Sequence, residues 1–199
     1  MTSVLNLAIV QGNGVGKPQG IMNAACLVTV AKETSQPADT IFHRNLVKMM
    51  GRMYAPSWAR STWLMHQDVW AALHTMSFRD VGAYPSTATT ASAPIFVPPG
   101  ALSASPYGTL LGRPIKVLQA METIGDLGDI ILADMKAYRT ITKAGGARVD
   151  TSIHLKFDTD ETAYRFIFRV AGAPWWSAAI SPRDGSNTLS PFVTLAERS

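Results

Sequence analysis

The sequence predicts an α+β fold with antiparallel strand pairing. Helical patterns come early in the 199-residue chain and most strand patterns come late, an order that favours separate helices and sheets over alternating βαβ units. Two late segments, 149–157 and 164–170, carry apolar residues at every second position, which is the period of a half-buried strand. Gly145-Gly146, just before them, is typical of a hairpin turn.

Two helices, each with one apolar face, are predicted in the first half of the chain. Asp39 is expected to cap the first helix, which runs for about 14 residues and stops before Pro56. Its apolar face contains Phe42, Leu46, Met49, Met50 and Met53. Asp68 is expected to cap the second helix. The apolar face of that helix contains Val69, Ala72, Leu73 and Met76.

Short apolar segments predict further strands and leave one long irregular stretch. The strand segments are 25–31, 61–65, 111–118, 129–132, 139–142 and 189–195. Residues 4–10 are also apolar and fit either a helix or a strand. Residues 79–106 are rich in Ser, Thr, Ala, Pro and Gly, with a brief strand predicted at Ile95-Phe96-Val97. Irregular stretches longer than about 15 residues are typically functional or mobile.

The content of charged residues is low for a protein whose whole surface faces water. Asp, Glu, Lys and Arg make up 16% of the chain, against about 25% in ordinary globular proteins. Either part of the surface is covered by copies of the chain, or the surface is neutral and polar. The net charge of +4 comes from scattered residues, without the dense basic stripe of strong nucleic-acid binders.

The single cysteine, Cys26, excludes a disulfide within the chain and a thiolate zinc cluster. This fits a reducing compartment, and Cys26 itself is expected to be a small buried residue. No secretory signal is expected, because no basic stretch precedes residues 4–10. No apolar run approaches the ~18 residues that span a bilayer.

The glycine-rich segment 12–20 resembles a phosphate-binding loop only superficially. Gln11 stands where the first glycine of GxxxxGK belongs, and Pro18 stands where the magnesium-binding hydroxyl belongs. Lys17 replaces the third glycine of the dinucleotide fingerprint GxGxxG. A tight structural turn is therefore the favoured interpretation, because glycine adopts positive φ at little cost.

Residue types that carry catalysis or bind metals are present but not suitably spaced. The histidines are His43, His66, His74 and His154, and none forms an HExxH pair. Asp158, Asp160 and Glu161 form an acidic cluster without the glycine of a calcium loop. A solvated turn is favoured there, with a loose calcium site as the alternative. No GxSxG elbow is present, so the sequence predicts no enzyme, no cofactor and no metal.

Five basic residues are candidates for contacts between subunits. Arg44, Lys48 and Arg52 follow one another at i, i+4 and i+8 on the first predicted helix. They form either a solvated face or a surface for an acidic neighbour. Arg165 and Arg169 are predicted on one side of a strand, where they pair with acids of an adjacent strand or of another subunit.

Five stretches, taken in order, resemble the major capsid protein family of tailed phages, which has the Hong Kong ninety-seven type fold. They are 12–21, 105–114, 124–134, 157–166 and 190–195, which begin GNGVG, SPYGT, IGDLG, FDTDE and SPFVT. Each stretch is short, but their order and their spread over nearly the whole chain make the set specific.

The resemblance implies a mixed sheet with flanking helices, like the axial domain of that family. Residues 1–24 are then a remnant of the peripheral domain with the glycine turn, 25–186 are the axial domain, and 187–199 are a strand that returns to the peripheral domain. The family's N-terminal arm, extended loop and spine helix have no counterpart in the sequence. The chain is therefore expected to correspond to the carboxy-terminal portion.

The function implied by the resemblance is that of a structural subunit of a phage or prophage capsid shell. Its expected partners are copies of itself, as pentamers or hexamers, intact capsid subunits and, without sequence specificity, packaged DNA. Its expected location is the virion capsid, or the bacterial cytoplasm before assembly, and not a membrane. The alternative is a truncated capsid-derived protein that interferes with assembly of intact subunits. A nanocompartment shell protein of the same fold is a third interpretation.

Overall fold

The computed structural model of the chain describes residues 2–76, 108–155 and 157–198. The predicted irregular stretch 79–106 and its brief strand lie outside the described residues. The helices are α1 Thr2–Gln11, α2 His43–Arg52 and α3 Gln67–Thr75. The strands are β1 Val28–Val30, β2 Thr62–Met65, β3 Thr109–Leu110, β4 Arg113–Val117, β5 Ile130–Ala133, β6 Tyr138–Thr142, β7 Arg148–Ser152, β8 Ala163–Ile167, β9 Val170–Pro174 and β10 Phe192–Leu195. The predicted α+β class is confirmed.

The central sheet has the strand order β1-β10-β5-β2-β4-β3. The pairs β10–β5, β5–β2 and β4–β3 are antiparallel, whereas β1–β10 and β2–β4 are parallel. The prediction of antiparallel pairing is therefore wrong for two pairs, whereas the mixed sheet that the resemblance implies is confirmed. In both of these pairs the partners lie far apart in the chain, as parallel pairing requires.

The middle strands of the central sheet, β10, β5 and β2, are buried on both faces. Trp63 and Met65 of β2 pack in one apolar cluster with residues of α2 and α3. Leu64 points to the other face and packs with Val10 of α1 and with Ile21 of the 3-10 helix Ile21–Asn23. Because strands covered on two sides need apolar residues at every position, β2 and β5 appear in the sequence as continuous apolar runs.

Both predicted helices form, but neither predicted cap is used. The first begins at His43, and the Phe42 N–H before it donates to Asn45 Oδ1 at 2.8 Å. Asp39 lies in the preceding turn with φ 54°, where its N–H donates to the Arg198 carbonyl. The second helix is capped by His66, whose Nδ1 accepts from the Asp68 N–H. The apolar residues expected to face the core are largely buried.

The glycine-rich segment forms the predicted turn between α1 and the first 3-10 helix. Gly14 and Gly16 have φ values of 78° and 66°, a region that side chains disfavour. Gly12 serves another purpose, because a Cβ there would overlap the carbonyl oxygens of Pro18 and Ala8. The backbone segments before and after the turn can approach this closely only without a side chain.

Two separate antiparallel ribbons, β6–β9 and β7–β8, lie in the chain between β5 and β10 of the central sheet. The Gly145-Gly146 turn is present, but it joins β6 to β7, which do not pair, so the predicted hairpin is wrong. The alternating segment 149–157 yields a strand only to Ser152, and 164–170 is divided between β8 and the first residue of β9. Neither ribbon strand β7 nor β8 has a buried residue, so half-burial is wrong as well.

A buried ion pair joins Arg198 to Asp129, the residue just before β5. Arg198 Nη2 contacts Asp129 Oδ2, and both side chains have an exposure of 0%. Arg198 Nε donates to the Thr40 carbonyl at 2.6 Å, and its N–H donates to the Gly125 carbonyl at 2.7 Å. Burial raises the pKa of Asp129, and the Arg198 guanidinium opposes that rise.

Candidate interaction surfaces

Ribbon β6–β9 is attached to the glycine turn through Tyr138. This side chain is buried, and its hydroxyl donates to the Gln19 carbonyl at 2.8 Å. Its ring lies against Gly172 of β9, where a Cβ would be closer than 3 Å. The Gln19 N–H donates to the Gly172 carbonyl at 2.8 Å. Burial raises the pKa of Tyr138, so the hydroxyl stays protonated as a donor.

Asp134 fixes the start of the same ribbon at the end of β5. One of its carboxylate oxygens accepts from Arg60 Nη2 at 2.8 Å, and the other accepts from the Lys136 N–H at 3.0 Å. Burial alone would raise the pKa of Asp134, but the hydrogen bonds from Arg60, Ser57 and Lys136 outweigh it and lower the pKa. These bonds fix the direction in which the chain leaves the buried strand β5 and enters the exposed ribbon β6–β9.

Replacing Asp134 by asparagine is expected to lower the free energy of unfolding at pH 7 by about 1–3 kcal/mol, because bonds to charged groups are lost. The lowered pKa means that the unfolded chain binds the proton more readily than the folded one. The stabilisation is therefore present above about pH 4 and is lost as the pH falls below it. Urea unfolding measures the free energy of unfolding of variant and wild type at pH 7 and pH 3. The difference between the two proteins should be smaller at pH 3 than at pH 7.

The control for this prediction is Asp184→Asn, at an exposed aspartate. Its free energy of unfolding should lie within about 0.5 kcal/mol of the wild-type value at both pH values. The assigned role of the carboxylate would be contradicted if Asp134→Asn lowered the free energy of unfolding by the same amount at pH 7 and at pH 3.

Ribbon β7–β8 has an apolar face that no other part of the described chain covers. Val149 lies opposite Phe166, and Thr151 lies opposite Tyr164, which places these four side chains on one face. Val149 is 53% exposed, Phe166 61% and Tyr164 64%. Isolated two-stranded ribbons are at best marginally stable in water, so this face is suited to contact with another surface.

The opposite face of the same ribbon is polar and contains a three-residue ion network. Asp150 Oδ1 accepts from Arg148 Nε at 2.7 Å, and Asp150 Oδ2 accepts from Arg165 Nη2 at 3.0 Å. Hydrogen bonds from Arg148 and then Arg165 lower the pKa of Asp150. Arg165 therefore pairs with an acid of the adjacent strand, one of the two alternatives open from the sequence. The two faces of the ribbon differ sharply in polarity.

Arg169 does not share a strand with Arg165, contrary to the sequence prediction. It lies between β8 and β9 and lines an open cleft of about 400 Å³ with Lys143 and Arg148. The backbone of the Gly145-Gly146 turn forms another wall of this cleft. One end of ribbon β7–β8 is therefore basic.

The basic residues of α2 contact other parts of the same chain. Lys48 Nζ lies 2.6 Å from Glu33 Oε1, and Arg44 Nη1 lies 3.8 Å from Glu33 Oε2. Arg52 donates to the carbonyl and the hydroxyl of Thr188, both at 2.7 Å. The segment before β10 is thus held against α2, a contact that residue spacing could not indicate. A role in subunit contacts for these three residues stays a prediction.

The described parts of the chain bring together no group of three potential ligands for a metal ion. Cys26 is buried, as predicted, and burial raises the pKa of its thiol. A second cleft, of about 160 Å³, lies between α1 and the strands β2 and β4. Neither this cleft nor the basic one is lined by a histidine, cysteine or carboxylate. Among the described helices, none is long and apolar enough to cross a bilayer.

Two solved capsid structures have the same fold as this chain. The capsid of the native GTA particle computed with C5 symmetry is 16% identical with a TM-score of 0.65, and the match covers 99% of this chain and 61% of that one. The capsid of the empty GTA particle computed with C5 symmetry is 16% identical with a TM-score of 0.62, covering 98% and 62%. The chain thus spans about three fifths of these capsid chains.

The fold is therefore that of a capsid protein, a class of structural rather than catalytic proteins. The chain belongs to the phage capsid family, whose profile matches residues 1–184. This confirms the resemblance seen in the sequence. No curated protein matches the chain significantly.

Proposed function

We propose that the chain is a structural subunit of a phage-type capsid shell and associates with copies of itself. The observation that carries this proposal is the family match over residues 1–184, together with a fold shared with two capsids over nearly the whole chain. The exposed apolar face of ribbon β7–β8 adds support, because shell subunits bury part of their surface against one another.

The two matching capsids were computed with C5 symmetry, which supports a five-fold ring as one assembly of this chain. Rings are built from heterologous contacts, in which two different patches of neighbouring copies meet. Arg44 and Lys48 share the single carboxylate of Glu33, so this part of α2 keeps an excess positive charge. We assign it to contact with an acidic surface of the neighbouring copy.

The wider proposal keeps the layout expected from the family. Residues 1–24 belong to a peripheral domain and residues 25–186 to an axial domain, whose central sheet also contains β10 from the segment 187–199. The protein is located in the virion shell, and in the bacterial cytoplasm before assembly. Hexameric rings and sequence-independent contact with packaged DNA are further parts of the proposal, for which the net charge of +4 is favourable.

Self-association is the expected result when the purified chain is studied by sedimentation velocity and electron microscopy. The mean sedimentation coefficient should rise with protein concentration, and ring-shaped particles should appear. Many weak contacts add through multivalency once a ring closes. A sedimentation coefficient that stays at the monomer value at every concentration would contradict the proposal.

A further inference from the structure

Ribbon β7–β8 has opposite charges at its two ends. Lys143 and Arg169 lie around the cleft at one end, together with Arg148, which is paired with Asp150, and segments 143–148 and 167–169 contain no acid. The connection between β7 and β8 lies at the other end and contains the acidic residues Asp158, Asp160 and Glu161. The described acidic residues there are exposed. The apolar face lies between a basic and an acidic end.

We infer that the apolar face of ribbon β7–β8 packs against the same face of a second copy, with the two ribbons antiparallel about a two-fold axis. This inference deepens the proposed function and rests on it, since it names one contact through which copies associate. Face-to-face packing covers Val149, Tyr164 and Phe166 of both copies, as in a small β-sandwich.

The charges select this orientation. In the antiparallel arrangement the basic end of each ribbon meets the acidic end of the other, so both ends of the contact are attractive. In a parallel arrangement like charges meet at both ends, which costs free energy. A two-fold contact is self-complementary, and every attraction therefore occurs twice.

Cross-linking tests the face and the axis together. Because Cys26 is the single cysteine and is buried, a cysteine introduced on the ribbon reports only on its own surroundings. Thr151→Cys, near the middle of the apolar face, is expected to form a disulfide-linked dimer under mild oxidation. Ser152→Cys, the next residue on the polar face, is the matched control and should remain monomeric on a non-reducing gel.

Charge reversal tests the orientation. Arg169→Glu and Asp158→Arg, both at exposed positions, should each weaken dimerisation about tenfold, because each places like charges together twice. Mixing the two variants should restore wild-type affinity, because the mixed dimer contains one native pair and one reversed but attractive pair. Sedimentation equilibrium measures all four combinations.

Unchanged dimerisation in both charge variants, together with no Thr151→Cys cross-link, would overturn the inference. The proposed function would stand in that case, since the copies would still associate through another surface. A wild-type chain that is monomeric at every concentration would overturn both. Failure of the mixed sample to regain affinity would exclude the two-fold antiparallel arrangement.

Discussion

Replacing Arg198 by methionine is expected to lower the free energy of unfolding by about 3–5 kcal/mol, as found when one partner of a buried ion pair is removed. The change leaves the Asp129 carboxylate buried without its cation. It also removes the hydrogen bonds that Arg198 donates to the carbonyls of Thr40 and Ala196. Urea unfolding followed by circular dichroism measures the loss.

The same variant should become relatively more stable as the pH falls. Burial already raises the pKa of Asp129, and without Arg198 nothing charged opposes that rise. A raised pKa means that the folded state holds the proton more tightly, so the variant gains stability at low pH and loses it as the pH rises.

Two further variants check the cause of the Arg198 effect. Arg183→Met changes an exposed arginine and should alter stability by less than about 0.5 kcal/mol. Adding Asp129→Leu to Arg198→Met removes the buried charge and should recover part of the loss, because an apolar pair has no desolvation penalty. A double variant as unstable as the sum of both single variants would show that the two residues act independently.

Trp63→Ala is expected to destabilise the protein by about 3–5 kcal/mol, the cost of truncating a large aromatic in a packed core. Trp63 has an exposure of 0%, and it lies on the face of β2 covered by α2 and α3. Its Nε1 donates to the Leu110 carbonyl at 2.9 Å, so the variant also removes a buried hydrogen bond.

Trp175→Ala is the matched control for Trp63. Trp175 is 66% exposed, and its ring lies under the Arg139 guanidinium at 4.7 Å. Losing an exposed cation–π contact should cost about 0.5–1 kcal/mol. If the free energies of unfolding of the two tryptophan variants, measured by urea unfolding, differed by less than about 1 kcal/mol, the assignment of Trp63 to the core would be contradicted.

The central sheet could be predicted from the sequence because burial on two faces has a direct signature. Residues 61–65 and 129–132 are mostly apolar, and the observed strands Thr62–Met65 and Ile130–Ala133 are displaced from them by no more than one residue at either end. The parallel pairs could not be predicted, because no local pattern specifies which distant strand becomes the neighbour. For the same reason, Gly145-Gly146 correctly predicted a turn but wrongly predicted a hairpin: the two glycines do not specify that β6 pairs with β9 instead of β7.

The candidate surface was only partly predictable. Alternation in 149–157 indicates a strand with one apolar face, which forms only as far as Ser152, and a period of two does not specify what covers that face. The pairing of Arg165 with Asp150 was among the expected alternatives, since acids of adjacent strands are near neighbours. The contact between Arg52 and Thr188 joins residues that are remote in the chain, and the pair Arg198–Asp129 carries no local signal either.

The position of β10 inside the sheet has a consequence for synthesis on the ribosome. Although it follows every other described strand in chain order, β10 lies between β1 and β5 and pairs with both of them in the central sheet. Until residues 192–195 emerge, the nascent polypeptide has open strand edges, which favour aggregation with other chains. This subunit should therefore complete its folding only after translation has passed β10, and chaperones that shield strand edges should raise its yield.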